Sequence, residues 1–153
     1  MRLQNKVALI TGGTSGIGEA TAILLAKEGA NLAITGRNEK RGHAVLDQIL
    51  ENGGKAIFIR TDVRQTAECR HAVDETLNSF GKLDILFNNA GVFYPQTTLE
   101  CSEEDWDLQI DINLKGTSLM SKFTLPGLTQ QGSRVIINNS SGWGIVGGDK
   151  AVS

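Results

Sequence analysis

The chain has 153 residues, 40% hydrophobic and 21% charged, with eighteen glycines and a formal net charge of −2. That length is ordinarily one domain with a core of its own, and the glycine content suits an α/β protein with many tight turns. So small a charge offers no basic field to nucleic acid or an anionic membrane, and no apolar run approaches the roughly 20 residues that span a bilayer.

From the N-terminus, "KVALIT" (Lys6 to Thr11) is a short continuous apolar run, the pattern of a strand buried on both faces. It is too short for a signal peptide, and glycines interrupt it at once. The stretch from Ser15 to Glu28 predicts a helix with Ile17, Ala20, Thr21, Leu24 and Leu25 inward and Gly29 as its stop. Asn31 to Thr35 is a second strand. Asn38 caps a second helix reaching Leu50, with Ala44, Val45, Ile49 and Leu50 inward. "KAIFIR" is a third strand, Gln65 to Phe80 a helix burying Val73, Leu77 and Phe80, and "LDILFN" a fourth strand.

After a loop from Asn89 to Cys101, Ser102 caps the longest helix, and Glu103, Glu104 and Asp105 set negative charge at its positive end. This helix is expected to reach Leu125, ahead of Pro126 and Gly127, with Trp106 packing at its start. "RVIIN" (Arg134 to Asn138) is a fifth strand. The alternation predicts a single α/β domain over residues 1–153, a Rossmann-type doubly wound parallel sheet with helices on both faces. His43 and His71 read as solvated surface. Cys69 and Cys101 lack metal-like spacing, so no metal site is expected, only two reduced thiols in a cytoplasmic protein.

"TGGTSGIG", Thr11 to Gly18, joins the first strand to the first helix, the place where a doubly wound sheet binds a dinucleotide. Glycines let backbone approach a pyrophosphate, and free N–H groups at the helix start attract its charge. The spacing is Gly-x-x-x-Gly-x-Gly (Gly12, Gly16, Gly18). "DV" (Asp62, Val63) closes the third strand and "NNAG" (Asn88 to Gly91) the fourth. "WDLQIDINLKG" lies in the long helix, and "IINNSSG" ends the fifth strand. In that order these motifs resemble the short-chain dehydrogenase/reductase family over the whole chain.

The resemblance implies an NAD(P)(H)-dependent oxidoreductase interconverting alcohols and ketones, with strand order 3-2-1-4-5. It assigns Gly12, Thr14, Ser15, Gly16, Ile17 and Gly18 to cofactor binding, Asp62 and Val63 to the adenine, and Asn89, Ala90 and Gly91 to the ribose. It makes Asn113 and Ser141 catalytic: Asn113 bends its helix and holds a water of a proton relay, and Ser141 positions the substrate oxygen. Taken alone, Asp62 also reads as a strand-end acceptor, Asn113 as a solvated helical residue, and Asn88 as structural. Trp143 reads either as lining a substrate cleft or as covering apolar surface.

Cofactor choice rests on the end of the second strand, where an acidic residue marks NAD. Here "TGRN" (Thr35 to Asn38) has no carboxylate, and the planar fork of Arg37 suits a 2′-phosphate, which favours NADP(H) over NAD(H).

In the resembled family a tyrosine about thirteen positions after the serine is the acid/base, and a lysine four residues later lowers its pKa. Counted from Ser141, that tyrosine falls immediately after Ser153. The chain is therefore expected to be a truncated cofactor-binding portion, inactive alone, with its fifth strand an exposed edge prone to self-association. A non-catalytic dinucleotide-binding or assembly module is the alternative.

Overall fold

The structure, a computed structural model, describes residues 1–128 and 135–142. Five strands, β1 (Val7–Ile10), β2 (Asn31–Gly36), β3 (Lys55–Arg60), β4 (Ile85–Asn88) and β5 (Val135–Asn138), form one sheet in the order β3-β2-β1-β4-β5. Every neighbouring pair is parallel, with Val7 beside Asn31 and Ala8 beside Ile85. Both the architecture and the strand order are those expected. Arg134, expected in the fifth strand, lies outside the described residues, as does Trp143.

Helices α1 (Gly16–Lys27), α2 (Glu39–Glu51) and α3 (Thr66–Phe80) cross between successive strands. Because strand side chains alternate between faces, β1 feeds two cores. Val7 and Leu9 pack with Ala33, Leu86 and Met120 on one face; Ala8 and Ile10 pack with Leu32, Ile34, Val45 and Phe87 on the other. All four β1 residues are completely buried, as a central parallel strand requires.

Two helix faces differ from expectation. In α1 the buried residues are Gly18 and Ala22, whereas Ile17 and Leu24 are 62% and 52% exposed. The glycine at position 18 forces this rotation, since it must sit against the loop that precedes it. In α2 the inward set is Gly42, Val45 and Ile49, and Ala44 and Leu50 are exposed. Gly42 faces the sheet because Phe58 fills the space beside it; a Cβ there would lie 2.3 Å from the ring. Trp106, expected to pack, is 42% exposed.

The long helix is three pieces. Helix α4 (Glu103–Gln109) passes into a π-helical segment (Ile110–Gly116), and α5 (Thr117–Leu128) follows with Pro126 inside it. Ser102 caps the start, its Oγ accepting from the Asp105 N–H at 3.1 Å. A wide i→i+5 turn bulges the helix locally and recurs at functional sites. Here it presses Gly116 against the end of β3, where a Cβ would meet Val63 Cγ2 at 2.7 Å. Pro126 has no N–H to donate to the carbonyl one turn earlier, so α5 runs through it with one helical bond fewer. Among the described residues, no helix is long and apolar enough to cross a membrane.

Candidate functional site

The carboxyl ends of all five strands open into one cleft of about 1340 Å³. That exceeds the roughly 300–1,000 Å³ usual for drug-sized ligands and suits an extended one. Its position, where the strand order turns back from β1 to β4, is where open α/β sheets bind ligands.

The loop between β1 and α1 forms one wall through Gly12, Thr14, Ser15 and Ile17. Gly12 and Gly16 have φ of 63° and 56°, a left-handed conformation that other residues adopt at a cost. Gly16 and Gly18 do not line the cleft; they shape the turn behind it. At Gly18 a Cβ would lie 2.2 Å from the Gly12 carbonyl oxygen and 2.5 Å from Asn89 Nδ2, so only glycine fits. Ser15 is the N-cap of α1, yet its side chain makes no cap hydrogen bond, which leaves the first-turn N–H groups free of that competitor.

Thr11 bolts this loop to the end of β4. Its Oγ1 accepts from the N–H of Asn89 at 2.9 Å and of Ala90 at 3.0 Å. Asn89 reciprocates, its Nδ2 donating to the carbonyls of Thr11 and Gly12 at 3.1 and 3.2 Å. Expected on the ribose side, Asn89 therefore lines the cleft while spending its side-chain donor on the glycine loop. Asn139 extends the brace by donating to Asn89 Oδ1 at 3.1 Å. Asn88 ties β4 to its neighbours instead, donating to Asn138 Oδ1 and Ser121 Oγ. Thr11 and Asn139 were not singled out in the sequence, because a threonine at a strand end carries no signal of its partner across the sheet.

At the end of β2 the cleft is lined by Gly36, Arg37, Asn38 and Arg41. Asn38 caps α2 by accepting from the Arg41 N–H at 2.9 Å. That fixes the first turn and aligns Arg37 and Arg41 along one edge. Neither arginine makes an ion pair among the described residues, whereas Arg60 is engaged by Glu39 and Glu68 at 3.9 and 3.2 Å. Arg41 was missed in the sequence; its place in the first turn of the helix that Asn38 caps, close behind Arg37, was the available signal.

Thr61, Asp62 and Val63 line the cleft at the end of β3, with Asp62 only 8% exposed. The Arg64 side chain holds the Asp62 carboxyl below the usual carboxylate range, against the opposing pull of burial. Ala90, Gly91, Val92 and Phe93 continue the wall from β4.

Asn113 enters the cleft from the π-helical segment, and Ser141 from the loop after β5. Both ends of the Asn113 amide pair with Val92: Oδ1 accepts from its N–H and Nδ2 donates to its carbonyl, each at 2.9 Å. The Asn113 carbonyl accepts from Thr117 Oγ1 at 2.9 Å. Its side chain thus pins the loop that follows β4. Buried Gln109, one turn earlier, accepts from the Tyr94 N–H at 3.3 Å. Tyr94 itself is not a cleft residue. Among the described residues no group of three or more metal-ligating side chains comes together.

The geometry agrees with comparisons to known proteins. A family model described as short chain dehydrogenase matches residues 6–153. An uncharacterized oxidoreductase of Thermotoga maritima is 43% identical over 96% of this chain and 58% of its own length. The cyclohexanol dehydrogenase of an Acinetobacter species is 35% identical over 95% of this chain and 59% of its own. A Serratia marcescens short-chain dehydrogenase/reductase, solved as a double mutant, superposes with a TM-score of 0.81 at 36% identity. It covers 84% of this chain and 53% of that one. The chain thus spans somewhat under three fifths of the length of these relatives. With its sheet order, its glycine turn and a family model matched over nearly its whole length, the chain belongs to the short-chain dehydrogenase family.

Proposed function

We infer that the cleft binds NADP(H) in preference to NAD(H), and that it serves, in a complete enzyme of this family, to oxidise secondary alcohols or reduce the matching ketones. The observation that carries the cofactor reading is the pair Arg37 and Arg41 at the cleft end of β2, unpaired among the described residues, where an NAD site has a carboxylate. Two guanidinium forks on the same stretch of cleft wall, one just before α2 and one in its first turn, suit a 2′-phosphate. The glycine loop suits the pyrophosphate, since Gly12 lines the cleft without a side chain and the Ser15 side chain does not cap the first-turn N–H groups of α1.

A nicotinamide cofactor held in this cleft would supply hydride exchange with the carbinol or carbonyl carbon of the substrate. Ser141 positions the substrate oxygen, and Asn113 keeps the adjoining wall in place through Val92. Names among the relatives, such as cyclohexanol dehydrogenase, support a ring-borne secondary alcohol as substrate. Within these 153 residues the sole tyrosine is Tyr94 and the residue four further on is Thr98, so no tyrosine–lysine pair of the expected spacing is present. The expected behaviour of this chain is cofactor binding without turnover.

The test is a calorimetric titration of the purified chain with NADPH and with NADH, alongside a cyclohexanol assay. NADPH should bind at least about tenfold more tightly, and Arg37→Asp should erase that margin. Equal affinities in the unmodified chain would overturn the NADP reading. Turnover by the chain alone would show that another group supplies the base.

A further inference from the structure

A carboxylate on the wall of a cleft for an anionic ligand is an electrostatic liability, and Arg64 offsets it. Arg64 Nε stands 3.0 Å from each oxygen of Asp62, Nη2 bonds Oδ2, and the Arg64 N–H donates to Oδ1 at 3.1 Å. The guanidinium does not line the cleft; it closes on the carboxylate from outside, with its side chain 33% exposed. The Asp62 backbone is held as well, its N–H donating to Glu68 Oε2 at 2.8 Å. A planar fork of this kind fixes the orientation of a carboxylate, which the point charge of a lysine does not.

We propose that Arg64 is a positioning residue for adenine recognition: it orients and charge-compensates Asp62, so that the carboxylate accepts the adenine amino group without repelling the cofactor's phosphates. The inference rests on the dinucleotide reading above. Without the fork, Asp62 is a largely buried carboxylate with no hydrogen-bonded cation, left with only the more distant charge of Arg37, and it opposes an anionic ligand entering the cleft. Burial would then favour rotation of the side chain toward solvent or uptake of a proton.

The test compares the unmodified chain with Arg64→Met and Arg64→Lys, each verified as folded by circular dichroism. The probes are NADPH and its hypoxanthine analogue, in which an oxygen acceptor replaces the amino donor of adenine. The unmodified chain should prefer NADPH. Arg64→Met should weaken NADPH about tenfold and narrow that preference, the loss of a charge-assisted pair. Arg64→Lys, which keeps the charge without the fork, should fall between them, and it carries the test if the methionine variant does not fold. Unchanged affinity and preference in a folded variant would overturn the role of Arg64 and leave dinucleotide binding standing. Equal losses for both probes would overturn the adenine assignment. An unmodified chain that binds neither probe sinks both inferences.

Discussion

Asp84 shows how much of this fold hangs on single polar side chains. It is 7% exposed at the foot of β4, and its Oδ2 accepts from the Val7 N–H at 2.9 Å and from Lys82 Nζ at 3.0 Å. Its backbone joins both neighbours too, the N–H to the Val7 carbonyl and the carbonyl to the Val135 N–H. Burial pushes its pKa up, but the Val7 N–H and Lys82 prevail and hold it below the ordinary value. A carboxylate depressed in the folded state stabilises fully above its unfolded pKa of about 3.9, and that stability is lost as pH falls through the lower folded value. Asp84→Asn should therefore cost about 2 kcal/mol near neutrality. Urea denaturation from pH 7 downward should find the gap to the unmodified protein narrowing below about pH 4. A gap constant across that range would show that the charge of Asp84 contributes nothing.

At the scale of elements, the π-helical segment departs most from what a sequence reader expects. Apolar spacing from Ser102 onward predicts one continuous helix, and periodicity carries no mark that distinguishes a wide turn from a regular one. The strands were legible because β1, β2 and β4 are short apolar runs bounded by turn residues, and their order follows the family resemblance. Helix faces were less legible. Glycine counts as neutral in an apolar pattern, yet Gly18 and Gly42 are the buried contact points of α1 and α2. In the cleft, the glycine loop and Arg37 are legible by residue type and Asp62 through the family resemblance, while Thr11 and Gln109 act through partners that only the fold brings close. The joint between the π segment and the loop after β4 is testable. Asn113→Ala removes both bonds to Val92 and should destabilise the chain by about 1–3 kcal/mol. Hydrogen exchange at the Val92 and Tyr94 amides should accelerate at the same time. Unaltered protection of Val92 would mean that the loop is held by something other than Asn113.

For the molecule as a whole, the outer edge of β5 carries the prediction about its behaviour in solution. Among the described residues β5 pairs with β4 alone, and Val135 and Ile137, side chains of one strand face, are 44% and 46% exposed. The opposite edge of the sheet is finished differently: β3 presents Lys55 and Arg60 at its two ends, charged residues that discourage further pairing. No such charge lies within β5, whose four residues are Val, Ile, Ile and Asn. An apolar edge with unpaired backbone groups is a template for a second strand, and a copy of the same chain is the partner always at hand. We therefore expect concentration-dependent self-association of this chain, read as a rising mean mass in sedimentation velocity. Ile137→Lys puts a charge on that edge and should return the protein to monomer with its helical circular dichroism intact. An unmodified chain that remains monomeric at high concentration would place the cover of β5 within the chain itself. Association that persists in the lysine variant would move the interface to another face.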